Sequence, residues 1–265
     1  MKVTILQTDI KWVQPDKNQV AAGQLISNNP GSDLYILPEM WATGFITDPA
    51  KYSAEINFQK SLEWMKETAQ SNRCAICGSL SILTHQSQYR NRLYFVMPDG
   101  EYYYYDKHHL FKYGGEDVYY TAGDKRVIAK YKNFRFLLQT CYDLRFPAWM
   151  RYKEDYDAII FVANWPQNRQ DAWNILLRAR AIENQCYVIG CNRTGEDDRC
   201  QYNGNSAIID PKGALLAKSD EKEQAITAEI DLDKLNHYRS KFPVLKDRDI
   251  SVSYTHLTLP TTERV

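Results

Sequence analysis

A cysteine, a glutamate and a lysine each stand where a short apolar run ends, and together these types supply a nucleophile, a base and an oxyanion partner. Cys141 follows Phe134-Arg135-Phe136-Leu137-Leu138-Gln139-Thr140, which reads as a buried strand, and precedes Pro147-Ala148-Trp149-Met150, which reads as a first helical turn. A thiol at a strand end ahead of a helix sits among backbone N–H groups that lower its pKa and favour the reactive thiolate. The alternative is a core thiol, the commoner fate of cysteine. Glu39 follows Leu34-Tyr35-Ile36-Leu37-Pro38 at the carboxyl end of a second strand, where open α/β sheets bind ligands. Flanked by Pro38, Met40 and Trp41, its carboxyl is expected to be partly desolvated and its pKa raised, which suits a general base near neutral pH. Otherwise it caps a loop. Lys107 closes the aromatic run 102–105 and Asp106. Buried there, an ammonium polarises a carbonyl or stabilises an oxyanion; outside, it snorkels along tyrosine faces. The glycine-containing loop from Leu110 to Asp117 presents a second acidic candidate, Glu116.

The hydrophobic pattern supplies a frame for these residues. Strands are expected over 2–8, 34–37, 74–82, 92–97, 102–105, 126–129, 134–139, 158–163, 187–191, 206–209, 214–217 and 224–230. Helical periods cover 16–27, 58–69, 171–184 and 232–239. Mixed alternation with hairpins means a layered α/β fold, not an all-parallel barrel. Two Pro-x-Gly turns, Pro98-Asp99-Gly100 and Pro211-Lys212-Gly213, hint at an internal duplication. No linker rich in Gly, Ser or Pro divides the chain, so residues 1–250 are expected to form one domain. Residues 251–265 are threonine-rich without amphipathic period, resemble translated adaptor read-through and read as a non-native tail. Its alternative is a genuine irregular extension.

The 265 residues carry 33 basic and 33 acidic side chains and are 44% apolar, which excludes a disordered chain and a disulfide mini-protein. No apolar run approaches the roughly 20 residues of a membrane span. Zero net charge argues against a non-specific nucleic-acid binder. Six cysteines are ordinary for a cytosolic chain and read as thiols, so the compartment expected is the cytoplasm. Cys74-Ala75-Ile76-Cys77 has redox or half-zinc spacing, but it lies mid-strand with no second pair, so no metal site is expected. His108-His109 lacks the spacing of a helical metal pair, and the Tyr102–105 run reads as strand, not as a base-stacking platform. There is no phosphate-binding glycine loop and no G-x-S-x-G.

Glu, Lys and Cys at strand ends, in that order, resemble the catalytic set of the nitrilase (carbon–nitrogen hydrolase) superfamily. The surrounding text is similar too: Leu37-Pro38-Glu39-Met40, Tyr105-Asp106-Lys107-His108-His109-Leu110-Phe111, Cys141-Tyr142-Asp143-Leu144-Arg145-Phe146-Pro147, Ala163-Asn164-Trp165-Pro166 and Arg178-Ala179-Arg180-Ala181-Ile182-Glu183-Asn184. The Cys141 motif looks most like the omega-amidase branch, which acts on 2-oxoglutaramate, 2-oxosuccinamate, succinamate and related dicarboxylate monoamides. The resemblance implies a four-layer α-β-β-α sandwich around two mixed sheets, with no cofactor and no metal. It implies Cys141 as nucleophile, Glu39 as general base, Lys107 as oxyanion stabiliser and Glu116 as support for the base and substrate. The backbone N–H of Tyr142 would meet the oxyanion, and Trp165 would line the substrate. Arg169, just beyond the strand 158–163, is the candidate for the substrate carboxylate; its alternative is a solvent-facing arginine that opens the next helix. Arg145 is expected to pair with Asp143 instead. A homodimer or higher homo-oligomer is also implied, with Trp149, Trp173 and Leu177 as candidate contacts. The rivals are another amidase, carbamoylase or nitrilase of the superfamily, a non-catalytic member, and a thiol–disulfide protein built on Cys74 and Cys77.

Overall fold

The chain lays down two six-stranded mixed sheets one after the other. The structure, a computed structural model, describes residues 1–52 and 54–249, side chains of 54–57 excepted. In the first half β1 (Lys2–Gln7), β2 (Leu34–Ile36) and β3 (Ala75–Leu83) run parallel, β4 (Tyr89–Val96) returns antiparallel beside β3, and β5 (Tyr102–Asp106) turns back antiparallel beside β4. In the second, β6 (Ile128–Tyr131) pairs antiparallel with β7 (Phe134–Thr140), which is parallel to β8 (Ala158–Ala163) and β9 (Tyr187–Asn192). A small hairpin, β10 (Thr194–Glu196) and β11 (Gln201–Asn203), interrupts the sheet. β12 (Ala207–Ile209) and β13 (Leu215–Lys218) complete it, and β14 (Gln224–Glu229) crosses back to pair antiparallel with β1.

The resulting orders, β14-β1-β2-β3-β4-β5 and β13-β12-β9-β8-β7-β6, follow one plan. Each has three parallel strands, a hairpin on one side and a single antiparallel strand on the other. The two Pro-x-Gly turns close the corresponding hairpins, β4–β5 and β12–β13, with Gly100 and Gly213 at φ of +86° and +84°. The duplication hinted at by the turns is a duplication of topology.

Strands buried on both faces are mostly apolar, and residue parity assigns each side chain to a layer. Leu34 and Ile36 of β2, Leu93 and Phe95 of β4, Phe136 and Leu138 of β7, and Ile160 and Val162 of β8 meet between the sheets. Tyr35, Ile76 and Tyr94 face the opposite way, against α1 (Pro15–Asn28) and α2 (Ala54–Asn72). After the short helices α3 (Glu116–Tyr119) and α4 (Pro147–Met150), the main cover of the second sheet is α5 (Gln170–Asn184), which packs on Ile159, Phe161 and Val188. A last helix, α6 (Leu232–Lys241), seats Leu235 in the inter-sheet core. The layers are helix, sheet, sheet, helix.

Parity also separates Cys74 and Cys77. One packs under the helices and the other between the sheets, so they share no face. Trp173 and Leu177, expected as intersubunit contacts, are instead fully buried against the second sheet. The periodicity of α5 identified an apolar face but not which way it points; the outward residues are Ile175 and Ile182. No helix among the described residues is long and apolar enough to cross a membrane. The expected tail, 251–265, lies outside the described residues.

Candidate active site

The parallel strands of both sheets end at one pocket, and Pro38 begins it. Leu37 still donates to Cys77 of β3, but Pro38 has no N–H, so the chain leaves the ladder there and swings Glu39 inward. Glu39, Lys107 and Glu116 are each sealed from solvent, at 0%, 1% and 0% exposure. Lys107 Nζ donates to Glu39 Oε1 at 2.9 Å and to Glu116 Oε2 at 2.8 Å. Asn91 of β4, itself buried, donates from Nδ2 to Glu39 Oε1 at 2.8 Å and to Glu116 Oε1 at 3.0 Å. The backbone N–H of Asn164 reaches Glu39 Oε2 at 2.9 Å, and that of Phe111 reaches Glu116 Oε2 at 2.6 Å. Burial lowers the Lys107 pKa, but Glu116 and Glu39 more than offset it and hold the ammonium above the usual lysine range. Burial, with Glu39 close by, pushes Glu116 up, against the pull of Lys107. A lysine buried between two carboxylates is neither snorkelling nor loop decoration.

Cys141 stands opposite, on the turn between β7 and β8. Its φ of +45° lies in the left-handed region that L residues avoid at a cost of about 1–2 kcal/mol. Asp143 holds that turn. Its carboxylate accepts from the backbone N–H of Thr140 at 2.9 Å, from the Tyr105 hydroxyl at 2.8 Å and from the backbone N–H of His109 at 2.9 Å. The ring of His109 lies 2.8 Å from the same carboxylate and stacks on Phe146, while His108 stacks on Trp149. The paired histidines therefore clamp the Lys107 segment to the Cys141 turn. The thiol pKa moves opposite to expectation: burial raises it well above the ordinary value, and the negative charge of the nearby Glu39 carboxylate raises it further, against the pull of Lys107. Cys141 opens a 3₁₀ turn, Cys141–Arg145, ahead of the single-turn helix α4, and their few N–H groups do not outweigh burial. The group presented is a neutral thiol facing a carboxylate, which a base must deprotonate during attack.

Glu39, Lys107 and Cys141 line a cavity of about 420 Å³ whose walls are Phe45, Phe111, Tyr142 and Trp165. Trp165 is fixed by its indole N–H on the Arg169 carbonyl at 2.8 Å. Arg169 lies over the Phe111 ring, 5.3 Å from its centre, and Arg145 over Trp165 at 5.0 Å; both guanidinia border the cavity. Arg145 does not pair with Asp143, because Tyr105, His109 and Thr140 already fill that carboxylate. The tip of the β10–β11 hairpin adds Arg199 and Cys200 to the wall. That hairpin is anchored by Arg193, fully buried, which donates to the Ile10 and Thr194 carbonyls and packs on Tyr202. Its short polar strands carry no alternating pattern, so nothing in the sequence announced it. Asn91 escaped notice for a related reason: one asparagine within a half-buried strand reads as an ordinary polar position.

All seven residues expected at the site meet in this region, with Glu116 directly behind Lys107. The chain is similar to Omega-amidase YafV of Escherichia coli K12, at 39% identity over 94% of this chain and 97% of that one. It is also similar to 2-oxoglutaramate amidase of Bacillus subtilis 168, at 35% identity over 93% and 98% of the two chains. Among solved structures it matches XC1258 from Xanthomonas campestris, a CN-hydrolase superfamily protein with an arsenic adduct in its active site. There the TM-score is 0.91 and the identity 38%, over 95% of this chain and 98% of that one. The Carbon-nitrogen hydrolase family model matches residues 2–240, and with this fold and this cluster of buried groups the chain belongs to the carbon–nitrogen hydrolase family.

Proposed function

We propose that the chain is a thiol-dependent amidase that hydrolyses small dicarboxylate monoamides, of the 2-oxoglutaramate, 2-oxosuccinamate and succinamate type, to acid and ammonia. The observation that carries this reading is a neutral thiol beside a buried carboxylate and a buried ammonium, in a cavity bordered by arginines. The relatives' names support the same substrate class.

Glu39 takes the thiol proton as the Cys141 sulfur attacks the amide carbon. The carbonyl oxygen gains negative charge and is met by the Lys107 ammonium and the backbone N–H of Tyr142. Glu39 passes the proton to the leaving nitrogen, and ammonia departs. Water, deprotonated by Glu39, then attacks the thioester; the acid leaves and the thiol recovers its proton. Glu116 fixes Lys107 throughout. Arg169 and Arg145 hold the distal carboxylate, for which a planar guanidinium is well shaped.

Ammonia release from succinamate, 2-oxoglutaramate, a neutral amide of equal length and a nitrile tests the reading. The carboxylated amides are expected to be much the better substrates; preference for the nitrile or the neutral amide contradicts it. We place the protein in the cytoplasm, a reading supported by its six free cysteines, and as a homo-oligomer. The outward Ile175 and Ile182 of α5 and Leu215 and Leu216 of β13 are exposed and support self-association. Sedimentation with and without residues 251–265 checks it: only a 31 kDa species in both contradicts it.

A further inference from the structure

We infer that Asn91 is a positioning residue that fills one oxygen of Glu39 and thereby leaves the other as the acceptor of the Cys141 proton; this rests on the thiol-amidase reading above. Glu39 Oε1 accepts from Asn91 Nδ2 at 2.8 Å and from Lys107 Nζ at 2.9 Å, so both its lone pairs are taken. Oε2 accepts the Asn164 backbone N–H at 2.9 Å, while the Asn164 amide stands off at 3.5 Å. The amide's short bond goes instead to the Glu39 backbone carbonyl, at 2.6 Å, so Oε2, with one short donor, is the less occupied oxygen. The Cys141 sulfur also borders Asn164, 3.9 Å from its carbonyl oxygen.

Asn91 is suited to this by its own surroundings. The Ser79 hydroxyl donates to Asn91 Oδ1 at 2.9 Å and accepts the Met40 backbone N–H at 2.8 Å. These bonds turn the amide so that its NH₂ faces the carboxylates. The second hydrogen goes to Glu116 Oε1 at 3.0 Å, and the Asn91 carbonyl accepts the Lys107 backbone N–H at 3.0 Å. One side chain and its peptide thus register the base, the second carboxylate and the lysine. Glu116 accepts from Asn91, Lys107 and Phe111 over both its oxygens. These donors favour its ionised form against the burial that pushes its pKa up; Glu116 anchors Lys107 and leaves the proton traffic to Glu39.

The test compares Asn91→Ala, Asn91→Asp and Ser79→Ala with the unsubstituted chain on succinamate, with Cys141→Ala as a control. Asn91→Ala is expected to lower kcat by about 10²-fold with little change in KM, the cost of a misaimed base. Asn91→Asp adds a third carboxylate and should move the acid limb of kcat/KM to higher pH, because like charges resist ionising together. Ser79→Ala, which frees the amide to turn over, should lower kcat by roughly twofold to tenfold. Rates are referred to the fraction of folded protein. A purely structural asparagine would lower melting temperature but leave kcat per folded molecule and the pH limb unchanged, and that result overturns the inference. If Asn91→Ala does not fold, an unchanged kcat in Ser79→Ala overturns it instead. Turnover by Cys141→Ala would overturn the thiol reading itself, and the inference with it.

Discussion

At the floor of the cavity Glu39, Lys107, Glu116 and Asn91 are shut off from solvent and bonded to one another. At its mouth Arg145 and Arg169 are partly open and rest on ring faces. The floor carries the larger stakes. Removing one member of a buried charge cluster leaves its partners uncompensated, at a cost of roughly 3–5 kcal/mol, whereas partly exposed cations contribute about 1 kcal/mol or less apiece. The floor is thus fixed before substrate arrives and suits any amide; the mouth is cheap to change and sets which amide enters. Substitutions at the floor should act on kcat for every substrate. Those at the mouth should act on KM for carboxylated substrates alone.

The largest effect is expected from Cys141→Ala. Loss of a nucleophile costs on the order of 10⁴–10⁶ in rate, so ammonia release from succinamate should vanish while the melting profile is kept. Retention of more than about a hundredth of the activity would contradict the covalent mechanism. Glu39→Gln should abolish release of even a first equivalent of ammonia, because one base serves both halves of the reaction. A burst of one ammonia per site would break that shared role.

Lys107→Met comes next, with a loss of about 10²–10³ in kcat as for a missing oxyanion donor. It should also destabilise the fold, since Glu39 and Glu116 are left facing each other without a cation. A variant with normal melting and near-normal kcat would move Lys107 out of the reaction. The pH profile gives a gentler check on the same group. Glu116 and Glu39 hold the lysine above its ordinary pKa, so the ammonium persists as pH rises, and kcat/KM should not fall between pH 7 and about 9. A descending limb in that window would mean that the ammonium is lost there.

The smallest effects belong to the mouth. Arg169→Met and Arg145→Met should each raise KM for succinamate roughly threefold to tenfold and leave a neutral amide of equal length untouched. Equal losses on both substrates would erase the distinction between floor and mouth.

Legibility in the sequence follows the same division. Glu39, Lys107 and Cys141 were readable because each terminates a strand, and the strands were readable because residues buried on both faces leave unbroken apolar runs. Asn91 was not, since its role depends on β4 lying beside β5, a pairing that brings it against Lys107. Arg145 was misassigned for a similar reason. Its neighbour Asp143 was the obvious partner along the chain, but Tyr105 and His109 arrive from another sheet and take that carboxylate first. The thiol pKa runs against the expectation because local helix dipoles are visible in sequence, whereas the burial of the sulfur, and after it a carboxylate delivered from the opposite sheet, is not.

Product partitioning in hydroxylamine tests the central claim, hydrolysis through a thioester on Cys141, most directly. The amine competes with water for an acyl-enzyme but not for the amide itself. The account predicts that succinamate yields hydroxamate at the expense of free acid as hydroxylamine rises, with Cys141→Ala yielding neither. Steady ammonia release with no hydroxamate, or hydroxamate formed by Cys141→Ala, would contradict it.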